Sequence, residues 1–242
     1  MSLKNLSVRT KIPKLLKDKL KNKKINQIYL RFEKSLNIKK SFVVGVSGGP
    51  DSLALAFLAK LYSLKKNIKC KFYIVDHKLR SNSTIEAKNV QKILKKCLIN
   101  SEILSWKGQK PNKNVQSLAR KKRLELLSSK CDQLKIDNIL LGHHQDDLIE
   151  NFFIRMLRGS GLRGLVSLDK KSVIERKNLI RPLLFEKKEN LIFISKHVFN
   201  FYIQDPSNKD EKYLRIRIRK LIEVLKKNKL NKKQFIKTIK NL

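Results

Sequence analysis

The sequence predicts an α/β protein, a mainly parallel sheet with helices on both faces followed by a small helical C-terminal segment. Three observations carry that prediction. Short apolar runs of β character alternate with longer runs of helical period through residues 41–185, the pattern of parallel strands joined by crossover helices. The first of these strands, Phe42 to Val46, meets a glycine turn that opens directly into a helix. From about residue 186 the remaining chain reads as basic and helical.

Residues 1–40 place Ile12, Leu16 and Leu20, then Ile28, Phe32 and Leu36, at four-residue steps, which predicts one or two helices ahead of the first strand. Pro13 suits a first helical turn. After the strand, Ser47–Ser52 form the turn and Leu53 onward the helix. A second strand spans Lys71–Asp76, a helix 81–98, a third strand Glu102–Trp106, a long helix 114–134 and a fourth strand Asn138–Leu141. Beyond GHHQDDLIEN, residues 142–151, a further helix begins. Two basic helical stretches near 211–227 and 231–241 close the chain. The organisation predicted is an N-terminal helical segment (1–40), a nucleotide-binding catalytic domain (41–185) and a basic helical segment (186–242).

The 242 residues suffice for a sizeable core, and no internal repeat is visible. Lys+Arg total 57 against Asp+Glu 20, a formal net charge of +37, which points to a polyanionic partner. Lysine is spread evenly and fits a solvated surface as well. The 13 arginines are more informative, because they cluster at 120 and 123, at 155–163, at 176 and 181, and at 215–219. Cys70, Cys97 and Cys131 make no CxxC pair, so they read as reduced thiols of a cytoplasmic protein without a disulfide framework. No apolar run is long enough to span a membrane, and the basic N-terminus lacks the apolar region of a secretory signal.

The turn SGGPDS carries the chemistry. A helix N-terminus leaves N–H groups unpaired and favours an anion, and Gly48 and Gly49 let a phosphate approach the backbone. Ser47 and Ser52 add hydroxyl donors, and Pro50 sits at the helix entry. Asp51 is out of place beside a bare phosphate and becomes tolerable when Mg²⁺ lies between them, so the loop reads as nucleotide plus metal. An ordinary capping role for Asp51 is the plainer account. The loop lacks the GxxxxGK[ST] pattern, which disfavours chemistry on a γ-phosphate.

Ligands of open parallel sheets bind beyond the carboxyl ends of strands, which singles out Asp76, His77 and Arg80 after the second strand. After the fourth, Asp146, Asp147 and Glu150 fall at helical spacing in a chain poor in acids, so they predict a cationic ligand, either an ammonium group or a metal. His143 and His144 have no further His/Cys partner that would make a zinc site. Arg120 and Arg123 share a helix face, as do Arg215 and Arg219, and with Arg217 they are candidate RNA contacts.

SGGPDS resembles the signature of the pyrophosphatase-loop family, whose members split ATP into AMP and pyrophosphate. Taken in order with DHKLR (76–80), QxxAR (116–120), GHHxDDxxE (142–150), LRGSGLRGL (157–165), RPLL (181–184) and DPSNKDEKYLRIRIRK (205–220), the chain resembles the tRNA(Ile)-lysidine synthetases over roughly residues 28–220. Two positions depart from that pattern, Ile216 for asparagine and Asn151 for threonine. The resemblance implies a Rossmann-like fold and a short form without further C-terminal domains. It also implies ATP and Mg²⁺ as cofactors and tRNA(Ile) with a CAU anticodon and L-lysine as substrates, with no membrane partner. Ser47 to Ser52, Asp76 and His77 would bind ATP, Asp51 the metal, and Asp147 and Glu150 the lysine. Asp51, Asp147 and Glu150 would be the catalytic residues, and Arg120, Arg123, Arg215, Arg217 and Arg219 would contact the tRNA. A tRNA thiolase shares the adenylation step, though isolated cysteines argue against it, and a non-catalytic RNA-binding protein on the same fold is the alternative from another class.

Overall fold

The computed structural model describes residues 12–109, 111, 115–204 and 210–242. The element order is α1 (Lys14–Leu20), α2 (Lys23–Ser35), β1 (Phe42–Val46), α3 (Pro50–Lys66), β2 (Cys70–Asp76), α4 (Ser83–Lys96), β3 (Ser101–Ser105), α5 (Val115–Leu134) and β4 (Asn138–Leu140). It continues with α6 (Gln145–Leu157), α7 (Leu162–Leu165), β5 (Lys171–Ile174), β6 (Lys177–Ile180), α8 (Lys188–Phe199), α9 (Leu214–Lys227) and α10 (Lys232–Asn241). The six strands form one sheet in the order β3-β2-β1-β4-β6-β5, parallel throughout except for the β5–β6 hairpin.

Alternation along β1 places a core on each face of the sheet. Phe42, Val44 and Val46 pack with α3, α4 and α8 on one side, where Leu191, Ile194 and Val198 of α8 share the core of α3. Val43 points the other way, toward Leu127 and Cys131 of α5. Because α3 and α5 lie on opposite faces, strand order reverses between β1 and β4, and that switch point opens a crevice at the strands' carboxyl ends. A Cβ on Gly142, just after β4, would stand 3.1 Å from the Asp51 carbonyl oxygen, so the entry of α3 lies directly against the exit of β4.

A second core lies beyond the sheet. Leu148, Ile149, Phe152 and Phe153 of α6 meet Ile218 and Ile222 of α9 and Ile236 and Ile239 of α10. Phe235 stacks on Phe153 at 5.4 Å and meets Phe152 edge-on. The basic C-terminal helices therefore bury an apolar face on α6, and only their outer faces are solvated.

The β5–β6 hairpin is absent from the sequence expectation. Its turn is Glu175–Arg176, both with positive φ (48° and 64°), a conformation usually signalled by Asn-Gly or Asp-Gly. Neither residue advertises it. The strand ends otherwise fall within about one residue of expectation, while the loop helix starts at Pro50, three residues earlier than its apolar pattern. The DPSN element, Asn114 and the side chain of Gln116 lie outside the described residues.

Candidate active site

The glycine turn is built around a hydroxyl. Ser52 Oγ accepts from the Ser47 amide (3.0 Å) and from Ser47 Oγ (3.1 Å), and donates to the Gly49 carbonyl (3.0 Å), closing the turn on itself. Gly48 has φ +84°, and a Cβ there would stand 2.6 Å from both Ile203 and Val90, so only glycine fits. The Gly48 carbonyl accepts from the Ile203 amide at 2.9 Å, and Ser195 Oγ donates to the Pro50 carbonyl at 2.6 Å. The segment after β6 thus holds the turn from behind and leaves the first N–H groups of α3 facing the crevice.

Asp51 lies in the first turn of α3. Its Oδ2 is 3.4 Å from His144 Nε2, and its Oδ1 is buried without a hydrogen-bond partner in the protein. An orphaned carboxylate oxygen beside an anion cradle fits a divalent ion completed by substrate phosphates, since Mg²⁺ is commonly held by one or two carboxylates. No cluster of three His, Cys, Asp or Glu able to hold a metal by itself occurs among the described residues.

His144 joins this loop to α6. Its Nδ1 accepts from the Asp146 amide at 3.1 Å while the His144 amide donates to Asp147 at 3.0 Å, a reciprocal N-terminal cap. Its Nε2 is 3.6 Å from Asp147 as well as 3.4 Å from Asp51, so one buried imidazole spans the two carboxylates. Burial pushes that imidazole down, but the Asp51 hydrogen bond and the charges of Asp147, Asp51 and Asp146 outweigh it and hold its pKa above the usual value.

Asp147 is ionised despite burial, which works to raise its pKa. His144, His143 and Arg215, with the His144 amide, lower it to about 2. Glu150 is 2% exposed and is gripped by two guanidinium groups of α9, with Arg219 Nε at 2.6 Å, Arg219 Nη2 at 3.3 Å and Arg215 Nε at 2.8 Å. Arg215 Nη2 also lies 3.6 Å from Asp147, and Asp146 pairs with Lys232 of α10. The acids expected to meet an outside cation are therefore occupied by cations of the same chain. Arg217, on the opposite face, is exposed and donates to the carbonyls of Glu211 and Lys212.

The far wall of the crevice is basic. His143 Nδ1, His77 Nδ1, Arg123 Nε and Arg181 Nε are all buried without a hydrogen-bond partner in the protein. Burial, with the charges of Arg120, Arg181 and Arg123, lowers the His143 pKa to about 3 against the pull of Asp147. Burial and Arg123 lower that of His77 to about 4, so both rings are neutral at physiological pH. Burial and Arg120 bring Arg123 to about 10, and burial with the same neighbour does so for Arg181, which leaves both cationic at neutral pH. Closely spaced guanidinium groups with unfilled donors suit a polyanion. Asp76 stands apart, because Ser83, Thr84 and the Lys78 amide already fill its oxygens at 2.7–2.9 Å; it ties β2 to the start of α4. Arg80 pairs with Glu86 on α4.

Three site residues escaped the sequence reading as such. Arg181 was visible as part of RPLL and of the arginine pair at 176 and 181, and His143 and His144 only as histidines without a ligand set. What locates them is tertiary: β6 ends beside β4, and α6 begins against α3. Of the two departures, Asn151 reaches Ser167 Oγ at 3.3 Å and Ile216 is buried, 6% exposed.

A family model described as a PP-loop domain matches residues 17–225. Two relatives are called tRNA(Ile)-lysidine synthase. That of Orientia tsutsugamushi (strain Boryong) is 39% identical over 180 residues, covering 74% of this chain and 41% of the relative. That of Rhodopseudomonas palustris (strain ATCC BAA-98 / CGA009) is 35% identical over 189 residues, covering 76% and 54%. The chain spans about half the length of these relatives. Among solved structures, a U34-tRNA thiolase from Methanococcus maripaludis with its 4Fe-4S cluster aligns with TM-score 0.75 at 18% identity, over 92% of this chain and 82% of that one, a likeness of fold.

Proposed function

The chain belongs to the PP-loop domain family, and from that premise we propose that it ligates free L-lysine to the wobble cytidine of a tRNA(Ile) with a CAU anticodon. ATP is split to AMP and pyrophosphate in two steps. The cytosine 2-carbonyl oxygen bonds to the α-phosphorus and pyrophosphate leaves; the lysine ε-ammonium gives a proton to solvent, the free amine bonds to C2 and sheds a second proton to solvent, and AMP leaves with the oxygen. One observation carries the reading: His144 stands within 3.4 Å of Asp51 and 3.6 Å of Asp147, so the phosphate loop and the carboxylate helix make a single site. A reaction that joins an activated phosphoryl group to a cationic nucleophile needs both.

In this reading the α3 N–H groups and Ser47 bind the ATP phosphates, and Arg120, Arg123 and Arg181 neutralise the charge that develops on them. Asp51 would hold Mg²⁺, which would supply charge neutralisation of those phosphates. Asp147, with a pKa near 2, holds the lysine ammonium and is too weak a base to take its proton. Glu150 joins it when Arg215 or Arg219 exchanges its carboxylate for an incoming phosphate. The relatives' names support tRNA(Ile) and lysine as the substrates, and a cytoplasmic location goes with that reading. No helix among the described residues is long and apolar enough to cross a membrane. A sulfur-transfer reading finds no support, since burial raises the pKa of all three thiols, Cys131 to about 11, and leaves little thiolate.

The test is pyrophosphate release from ATP in the presence of tRNA(Ile), lysine, or both. Release that requires the tRNA, with AMP formation that requires lysine, is expected. Release independent of tRNA would overturn the proposal.

A further inference from the structure

LRGSGLRGL is a sequence motif that the site does not absorb. It forms the end of α6, a bare turn and α7; Leu165 packs against the second core, but Leu157 and Leu162 are outside, 60% and 67% exposed. Gly159 has φ +68°, and neither Gly159 nor Gly161 would set a Cβ within 4 Å of any atom, so the turn presents open backbone. Arg155, Arg158 and Arg163 surround it, all exposed, and no acidic residue occurs between Asn151 and Leu168. The helix dipole accounts for Arg155 and Arg158 near the end of α6. It does not account for two exposed leucines beside them.

The motif is continuous with the site. Asp147, Asn151, Arg155 and Arg158 follow one another at i, i+4, i+8 and i+11 and so share one face of α6. Arg155 is near enough for its charge to depress Arg120 in the basic wall. At ~1.5 Å per residue the track from Asp147 to Arg158 runs about 16 Å, a span within one RNA loop.

We infer that this knuckle, residues 155–163, is the docking surface for the single-stranded loop of the RNA substrate, which lies along α6 with its phosphates on Arg155, Arg158 and Arg163. Leu157 and Leu162 contact unstacked bases. A duplex would engage the arginines but leave the leucines idle, because its base faces are stacked away. The acid-free stretch fits RNA and opposes an acidic-peptide mimic only weakly, but a peptide would not need a track leading into a phosphate site. The inference rests on the proposed tRNA substrate and adds where that substrate docks.

The test is binding of the tRNA(Ile) anticodon stem-loop, by fluorescence anisotropy across a salt series, to wild type, R155A/R158A/R163A and L157S/L162S. Removing one arginine from a single-strand phosphate lowers the salt slope by about 0.7, so the triple variant should show a slope smaller by about 2 units. The leucine variant should bind the stem-loop at least tenfold more weakly and a fully paired hairpin unchanged. Both variants should keep the wild-type kcat for pyrophosphate release at saturating tRNA while KM rises. An unchanged slope, an equal loss on both RNAs, or a loss of self-association in the leucine variant without a change in RNA affinity would overturn the inference. If the variants behave as expected but no lysine adduct forms, the proposed reaction fails and the docking surface stands; adduct formation with variants that bind RNA like wild type would keep the reaction and remove the docking surface.

Discussion

Glu150→Gln tests the contact that ties the helical C-terminal core to the site. The substitution keeps volume, so it opens no cavity, but it leaves Arg215 and Arg219 facing a neutral amide. Removing one partner of a buried ion pair costs about 3–5 kcal/mol. The Glu150 side chain is 3% exposed, yet both arginines are 31% exposed and regain water, so the cost falls below that range, to about 2–3 kcal/mol. For a chain of this size each kcal/mol moves Tm by about 2–4 °C, which gives a fall of roughly 5–10 °C. Thermal and urea denaturation of Glu150→Gln beside Glu175→Gln separates the pair from net charge, because Glu175 is exposed on the β5–β6 turn and carries the same charge. A double-mutant cycle with Arg219→Met should return a coupling above about 1 kcal/mol. A Tm within about 1 °C of wild type, or additive effects in the cycle, would refute the ion-pair cluster as a structural tie.

Three further outcomes follow from the same geometry. Gly48→Ala forces a Cβ to 2.6 Å from Ile203 and Val90 at φ +84°, so ATP-dependent pyrophosphate release should fall at least a hundredfold while RNA binding stays within twofold; retained release would refute the close-packed turn. Asp51→Ala removes the orphaned Oδ1 and should abolish pyrophosphate release at every Mg²⁺ concentration with tRNA binding intact, whereas near wild-type turnover would refute the metal role. The Asp147 carboxyl, lowered from 3.8 to about 2, contributes stability that is present above pH 4 and is lost as pH falls toward 2. The urea-midpoint gap between wild type and Asp147→Asn should therefore narrow from pH 5 to pH 3, and a constant gap would refute the depressed pKa.

The unit from β1 to α3 was legible in the sequence because everything that shapes it is local: an apolar strand, two glycines, a proline at the helix entry and the Ser47–Ser52 pair five residues apart. The acids of α6 were legible for the same reason, as residues spaced on one helix. Their partners were not. Arg219 reaches Glu150 across 69 residues of chain, and helical spacing showed only that Arg215 and Arg219 share a face, not that α9 would turn that face inward on Ile218 and Ile222. Asp76 shows the converse, since its place at a strand end suggested ligand binding while its oxygens went to Ser83 and Thr84 of the next helix. The hairpin was hidden because Glu175 and Arg176 adopt a turn their side chains do not favour, held there by pairing of Lys171–Ile174 with Lys177–Ile180.

In the proposed reaction one crevice activates a tRNA base with ATP and delivers lysine to it. Mass spectrometry of nucleosides from the anticodon, after reaction with ATP, tRNA(Ile) and isotopically labelled L-lysine, tests it most directly. The expected product is a cytidine bearing the labelled lysine, formed by wild type and lost in Asp147→Asn. A thiolated cytidine when a sulfur donor is supplied, or no lysine adduct under conditions where pyrophosphate is released, would contradict it.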